Sequence, residues 1–222
     1  MPTKSTKNAG GGVEPISLEE MIDKCLTAIE NEECRKYLEN RTTYESCFFK
    51  ANDVPYFEIN KNANIATSMF SYATITEFSK LDIGKSNLQI GIRMFNECKN
   101  LIKVQIDIKK FYNISSMFYN CVSLVDVGTL DFSGIPQDNS DRMGACFYNC
   151  KSLEKIKVVS QSLKRSLSFA WSPLLSAESV QSIIDGLAIV TTAQTITFHK
   201  NIALTDEQKQ IINEKGWTLV QA

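Results

Sequence analysis

Seven cysteines, at positions 25, 34, 47, 98, 121, 146 and 150, are the residues of this 222-residue chain best suited to chemistry. Cys98, Cys121 and Cys150 each follow a phenylalanine by three residues. In a repeating fold they line up on one side of a coil, and a line of thiols invites a metal. Structural zinc, however, wants four tetrahedral ligands, whereas a ladder offers a row. Ala51 and Ala73 hold the equivalent places, so the position asks for a small buried residue, the ordinary role of a free cysteine. Cys146 and Cys150, at i and i+4, raise a redox reading, but both fall on the apolar side of the repeat and there is no Cys-x-x-Cys motif. The odd count and open spacing are unlike a small disulfide scaffold. The thiols are read as reduced, and bridges between neighbouring coils stay open only in an oxidising setting, since strands about 4.8 Å apart are within bridging distance.

Other reactive residues are sparse. His199 is the only histidine, so a triad or a histidine metal site has nothing further to draw on. Glu19, Glu20, Asp23, Glu30, Glu32 and Glu33 form an acidic run that reads as the solvated face of a helix. Gly10-Gly11-Gly12 follows no strand, so it is a linker or docking tail and not a phosphate loop. The triplets Asn40-Arg41-Thr42 and Asn113-Ile114-Ser115 matter only in an exported chain. No catalytic residue, cofactor or metal is therefore expected. A net charge of -1 argues against a nucleic-acid footprint. No run approaches the roughly 20 apolar residues of a membrane span, and the N-terminus carries no apolar signal segment.

What must position these residues is a repeat. Met94-Phe95-Asn96-Glu97-Cys98-Lys99-Asn100-Leu101 returns as Met117-Phe118-Tyr119-Asn120-Cys121-Val122-Ser123-Leu124 and as Cys146-Phe147-Tyr148-Asn149-Cys150-Lys151-Ser152-Leu153. Counted from each Phe, apolar or small residues recur at offsets 3, 6, 9 and 11: Cys98, Leu101, Val104 and Ile106, then Cys150, Leu153, Ile156 and Val158. The copy from Phe118 departs at Thr129. Weaker copies start at Cys47-Phe48 (Ala51, Val54, Phe57, Ile59) and at Met69-Phe70 (Ala73, Ile75, Phe78, Leu81, one residue deleted), and Ala170-Trp171 reads as a degenerate last copy. Spacings of 22, 25, 23, 29 and 24 residues fit a leucine-rich repeat, the 29 implying a looped insertion near Gly134 to Asp141. A coil cannot bury its apolar side alone, so the coils stack. Val104, Ile106, Ile156 and Val158 should point inward from a parallel sheet, with the Met-Phe pair and the Cys on a helical or 3₁₀ half-turn opposite. Tyr119 and Tyr148, one place after the Phe, are candidates to face out as a short protein-binding ladder.

The flanks suit the two raw ends of such a stack. Leu18, Met21, Ile22, Cys25, Leu26 and Ile29 form one helical stripe, opened by the capping-box pair Ser17 and Glu20. Downstream, Ser176 precedes a helix with Val180, Ile183, Ile184 and Leu187 on its apolar face. Thr195 to Phe198 alternates as a strand, Thr205 with Gln208 opens a second helix, and Gly216 precedes a last strand at Trp217 to Val220. The expected architecture is an α/β leucine-rich-repeat solenoid with short parallel strands. Its parts are a flexible arm over 1–14, an N-terminal helical cap over 15–43, the repeats over 44–175, and a C-terminal β-α-β-like cap over 176–222.

The phrase Met-Phe-x-x-Cys-x-x-Leu resembles the BspA-like leucine-rich-repeat family, over roughly Cys47 to Leu175. The closing segment, Leu204-Thr205-Asp206-Glu207-Gln208-Lys209 with Lys215-Gly216-Trp217-Thr218-Leu219, also looks like tails that follow such repeats in gut Bacteroidetes and their phages. The resemblance implies a non-enzymatic protein-interaction module, used in attachment, adhesion or assembly without a cofactor. A short copy without a secretion signal fits a structural or attachment component of a bacteriophage particle, localised to the virion and partnered by other protein subunits in an oligomer or assembly. A surface adhesin on the bacterial cell and a cytoplasmic adaptor are the alternatives.

Overall fold

The computed structural model describes residues 39–52, 59–79, 86–138 and 140–222. The expected arm and the helical stripe of the N-terminal cap lie outside them, as do Val54, Phe57, Leu81, Cys25 and Cys34.

Four short strands, β1 (Glu77–Phe78), β2 (Lys103–Val104), β3 (Asp126–Leu130) and β4 (Lys155–Val158), pair in parallel in chain order to make one wall. Their side chains alternate, so Val104, Ile156 and Val158 are buried, with Ile106 buried just beyond β2. Phe78 pairs with Val104, although it lies eight residues after Phe70 and Val104 nine after Phe95; the one-residue deletion in that copy is real. The departure at Thr129 also has a cause. β3 bulges between Asp126 and Thr129, where Gly128 takes φ +65° and donates its N–H to Asp126 Oδ1 at 2.8 Å. A positive φ at no steric cost is what glycine supplies. The extra residue slides Leu130 opposite Val158, and Leu130 is buried in place of the expected offset-11 residue.

The opposite wall is a column of phenylalanines. Phe48, Phe70, Phe95, Phe118, Phe147, Phe169 and Phe198 stack with centroids 5.0, 5.6, 5.6, 5.4, 5.1 and 6.3 Å apart. In the first five turns the residues two before and two after the Phe have positive φ: Ser46 and Lys50, Ser68 and Tyr72, Arg93 and Glu97, Ser116 and Asn120, Ala145 and Asn149. The left-handed geometry costs an L-residue roughly 1–2 kcal/mol. It aims alternate N–H groups at the next turn, as where Arg93, Phe95 and Glu97 donate to Ser115, Met117 and Tyr119 carbonyls at 3.0, 2.9 and 2.8 Å. The intervening N–H groups close i to i+3 turns, as from Cys98 to the Phe95 carbonyl.

One sequence expectation is corrected here. After Phe147 the column continues not through Trp171 of a degenerate copy but through Phe169 and then Phe198. β5 (Leu167–Phe169) pairs with β6 (Gln194–Phe198), which puts Phe169 beside Phe198 and leaves Trp171 46% exposed. A phenyl ring carries no polar atom to satisfy inside, whereas an indole N–H needs a partner or water.

Beyond β4 the coils change character. Helix α1 (Ala177–Gly186), capped by Ser176, lies against β4. Ser179 Oγ and Ser182 Oγ each accept a 3.0 Å hydrogen bond from β4, from the Ile156 and Val158 N–H groups. The open edge of the four-stranded sheet is thereby closed. After β6, helix α2 (Asp206–Glu214) opens with the expected Thr205–Gln208 capping box, and β7 (Trp217–Gln221) extends the parallel sheet β5-β6-β7. Gly216, at φ +82°, is the left-handed residue after α2. The second sheet thus runs across the expected boundary at 175/176. The described residues of the expected insertion near 134–141 form no helix or strand. They are pinned by Arg165, which donates to the carbonyls of Pro136, Asp138 and Ser140, and by Arg142, bidentate on Asp138.

Candidate functional site

Each repeat cysteine is buried against the turn before it. Cys98, Cys121 and Cys150 donate their thiol hydrogen to the carbonyls of Phe70, Phe95 and Phe118 at 2.9, 3.0 and 3.1 Å. The position therefore accepts alanine on size but gains a hydrogen bond from cysteine, which the sequence alone did not reveal. Burial pushes the Cys47 thiol up to about 11, those of Cys98 and Cys146 to about 12, and those of Cys121 and Cys150 well above the usual range. A thiol held protonated is a poor nucleophile and a poor metal ligand. These five cysteines are unbridged. Among the described residues no three of His, Cys, Asp and Glu come together as a metal would require. His199 uses Nδ1 to accept the Asn201 N–H at 3.1 Å, closing a turn.

The outward ladder is where the structure collects function-bearing groups. Tyr119 and Tyr148 stack at 4.8 Å and 10°, with Tyr148 37% exposed. Trp171, displaced from the core, extends them at 5.1 Å. Further up, Phe49 packs on Tyr72 at 5.3 Å. Beside the rings runs a polar ladder from Asn149 Nδ2 to Asn120 Oδ1, 2.8 Å, and from Asn120 Nδ2 to Glu97 Oε1, 2.5 Å. Asparagine tolerates the left-handed backbone of these places better than most residues do. Sequence reasoning found Tyr119 and Tyr148 and missed Trp171. The signal was available: Phe169 follows Phe147 by 22 residues, the interval from Phe48 to Phe70. The same corner ends in a groove of about 400 Å³ lined by Pro173, Leu174, Leu175, Ile202 and Ala203 among others, and Leu174 is 54% exposed there.

Coil, phenylalanine column and thiol ladder are those of one repeat type. The family model for a BspA type leucine rich repeat region, in six copies, matches residues 33–137 and 65–186. The chain belongs to that family. Compared with curated proteins and with solved structures, it matches none. In BspA-type chains the repeat region is typically a non-enzymatic protein-interaction domain, and the solenoid here is built from it. No helix among the described residues is long and apolar enough to cross a membrane.

Proposed function

We propose that this BspA-type solenoid is a non-enzymatic binding module that docks other protein subunits through the corner carrying Tyr119, Tyr148 and Trp171. The observation that carries this reading is the exposed aromatic ladder with its amide neighbours. Tyr and Trp supply rigid contact area at low entropic cost, and Asn and Ser supply adaptable hydrogen bonds, the composition of evolved protein-binding surfaces. Tyr148→Ala combined with Trp171→Ala should abolish capture of the native partner without shifting the melting temperature. Unchanged capture would remove the corner from consideration.

We further propose that the module is a structural or attachment component of a bacteriophage particle, supported by the likeness of the Leu204–Leu219 segment to tails that follow such repeats in proteins of gut Bacteroidetes and their phages. Mass spectrometry of purified particles tests it. Detection on the bacterial surface and absence from particles would make it an adhesin instead.

A further inference from the structure

The docking corner has a charge of its own. The residues one to four places after each phenylalanine of the column, 49–52, 71–74, 96–99, 119–122, 148–151, 170–173 and 199–202, include Lys50, Lys99, Lys151 and Lys200 but only one carboxylate, Glu97. Four lysines against one glutamate make this strip +3, in a chain whose net charge is -1. Glu97 is already engaged by Asn120 and, at 3.4 Å, by Lys99. All four lysines are exposed. Lys50 and Lys200 stand two places, and Lys99 and Lys151 four places, after their phenylalanines, one lysine to a turn, in turns that span six rungs of 5.0–6.3 Å.

Resting on the reading of this corner as the docking surface, we propose that it receives an acidic, extended peptide segment of the partner. The segment's carboxylates face Lys50, Lys99, Lys151 and Lys200, and one of its apolar side chains enters the groove beside Leu174. Charge complementarity selects an acidic partner and speeds encounter. The spread of the lysines along the axis selects an extended chain over a compact one. The rings select peptide over acidic polysaccharide: Tyr119 and Tyr148 cover one face of each other and Tyr148 is met by Trp171 as well, so the pair does not present the isolated open ring on which a sugar would stack. A peptide can use the groove and the donor and acceptor capacity left on Asn120 and Asn149.

The test is fluorescence anisotropy of the full chain with a labelled random copolymer of glutamate and tyrosine as probe, and with polygalacturonate as the polysaccharide counterpart. The copolymer should bind. Raising salt from about 0.1 M to about 1 M, which cuts the screening length from ~10 Å to ~3 Å, should weaken binding by at least about tenfold. Lys151→Glu combined with Lys200→Glu should weaken it as much, with an unchanged melting temperature. Lys157→Glu, on the outer face of β4, should leave it within about twofold. No binding of the copolymer, preference for polygalacturonate, or indifference to salt and to the double reversal each overturns the proposal. If the reversals are silent while Tyr148→Ala and Trp171→Ala still weaken binding, only the acidic chemistry is wrong. If those two are silent as well, the docking surface itself is misplaced.

Discussion

Ser172 sits three residues after Phe169, in the place held by Cys98, Cys121 and Cys150. Its hydroxyl is fully buried and has no hydrogen-bond partner, whereas the longer thiols reach the carbonyl of the turn before. A buried hydroxyl without a partner costs about 1–3 kcal/mol. Ser172→Cys should therefore stabilise the protein by roughly 1 kcal/mol in urea unfolding, and a loss of stability would show that the last turn is too tight for sulfur. The same ladder makes a second prediction. Because burial holds the thiols of Cys47, Cys98, Cys121, Cys146 and Cys150 protonated, N-ethylmaleimide at pH 8 should leave all five unlabelled in the folded protein and label them in guanidinium. Labelling of any one under native conditions would mean that its turn opens.

Between coils, the elements are held by edge closure and by clamps. The Ile156 and Val158 N–H groups depend on two serine hydroxyls of α1. Replacing Ser179 and Ser182 by alanine strands both donors, at a cost of about 1–3 kcal/mol each, and hydrogen exchange at those two amides should accelerate well before that of β2. Equal acceleration throughout would mean that α1 does not guard the edge. The inserted loop depends instead on Asp138. The Arg142 guanidinium holds its carboxyl down at about 2, helped by the Ser140 N–H. A depressed value contributes to order in full above the unfolded value near ~3.9 and is lost as pH falls through the folded one. The Gln137 and Ser140 amides should thus stay ordered at pH 4 and loosen near pH 2, and in Asp138→Asn they should be loose at both. Loosening of the unsubstituted loop at pH 5 would exclude this account.

At the scale of the whole molecule, one column of rings joins every described turn from Phe48 to Phe198. In a stack where each coil touches only its neighbours, damage spreads along one dimension. Phe118→Ala removes a central ring and should cost about 3–5 kcal/mol. The turns of Phe95 and Phe147 should lose exchange protection first, and β7 last. A cost under about 1 kcal/mol would mean that the column is not the core.

The repeat was legible because burial imposes a strict pattern: a residue that must face inward every turn writes its spacing into the chain, and the short strands write their alternation. Ser176, the Thr205–Gln208 box and Gly216 were legible for the local reason that helix ends need particular hydrogen-bonding groups. The left-handed pairs around each phenylalanine were not, since Ser, Lys, Tyr, Arg, Glu, Asn and Ala all occupy them and the geometry is enforced by hydrogen bonds from the next turn. The choice of Phe169 over Trp171 was legible only in part: the intervals of 22 and 24 residues from Phe147 both fit the repeat, and the pairing of β5 with β6 decides between them. The basic corner needs the tertiary structure: Lys50, Lys99, Lys151 and Lys200 lie about fifty residues apart in sequence, and only stacking, with one deletion and one bulge absorbed on the way, brings their turns into one column. Residue types and inward spacing follow from the chain itself, whereas register between coils is decided by packing over distances that no local pattern spans.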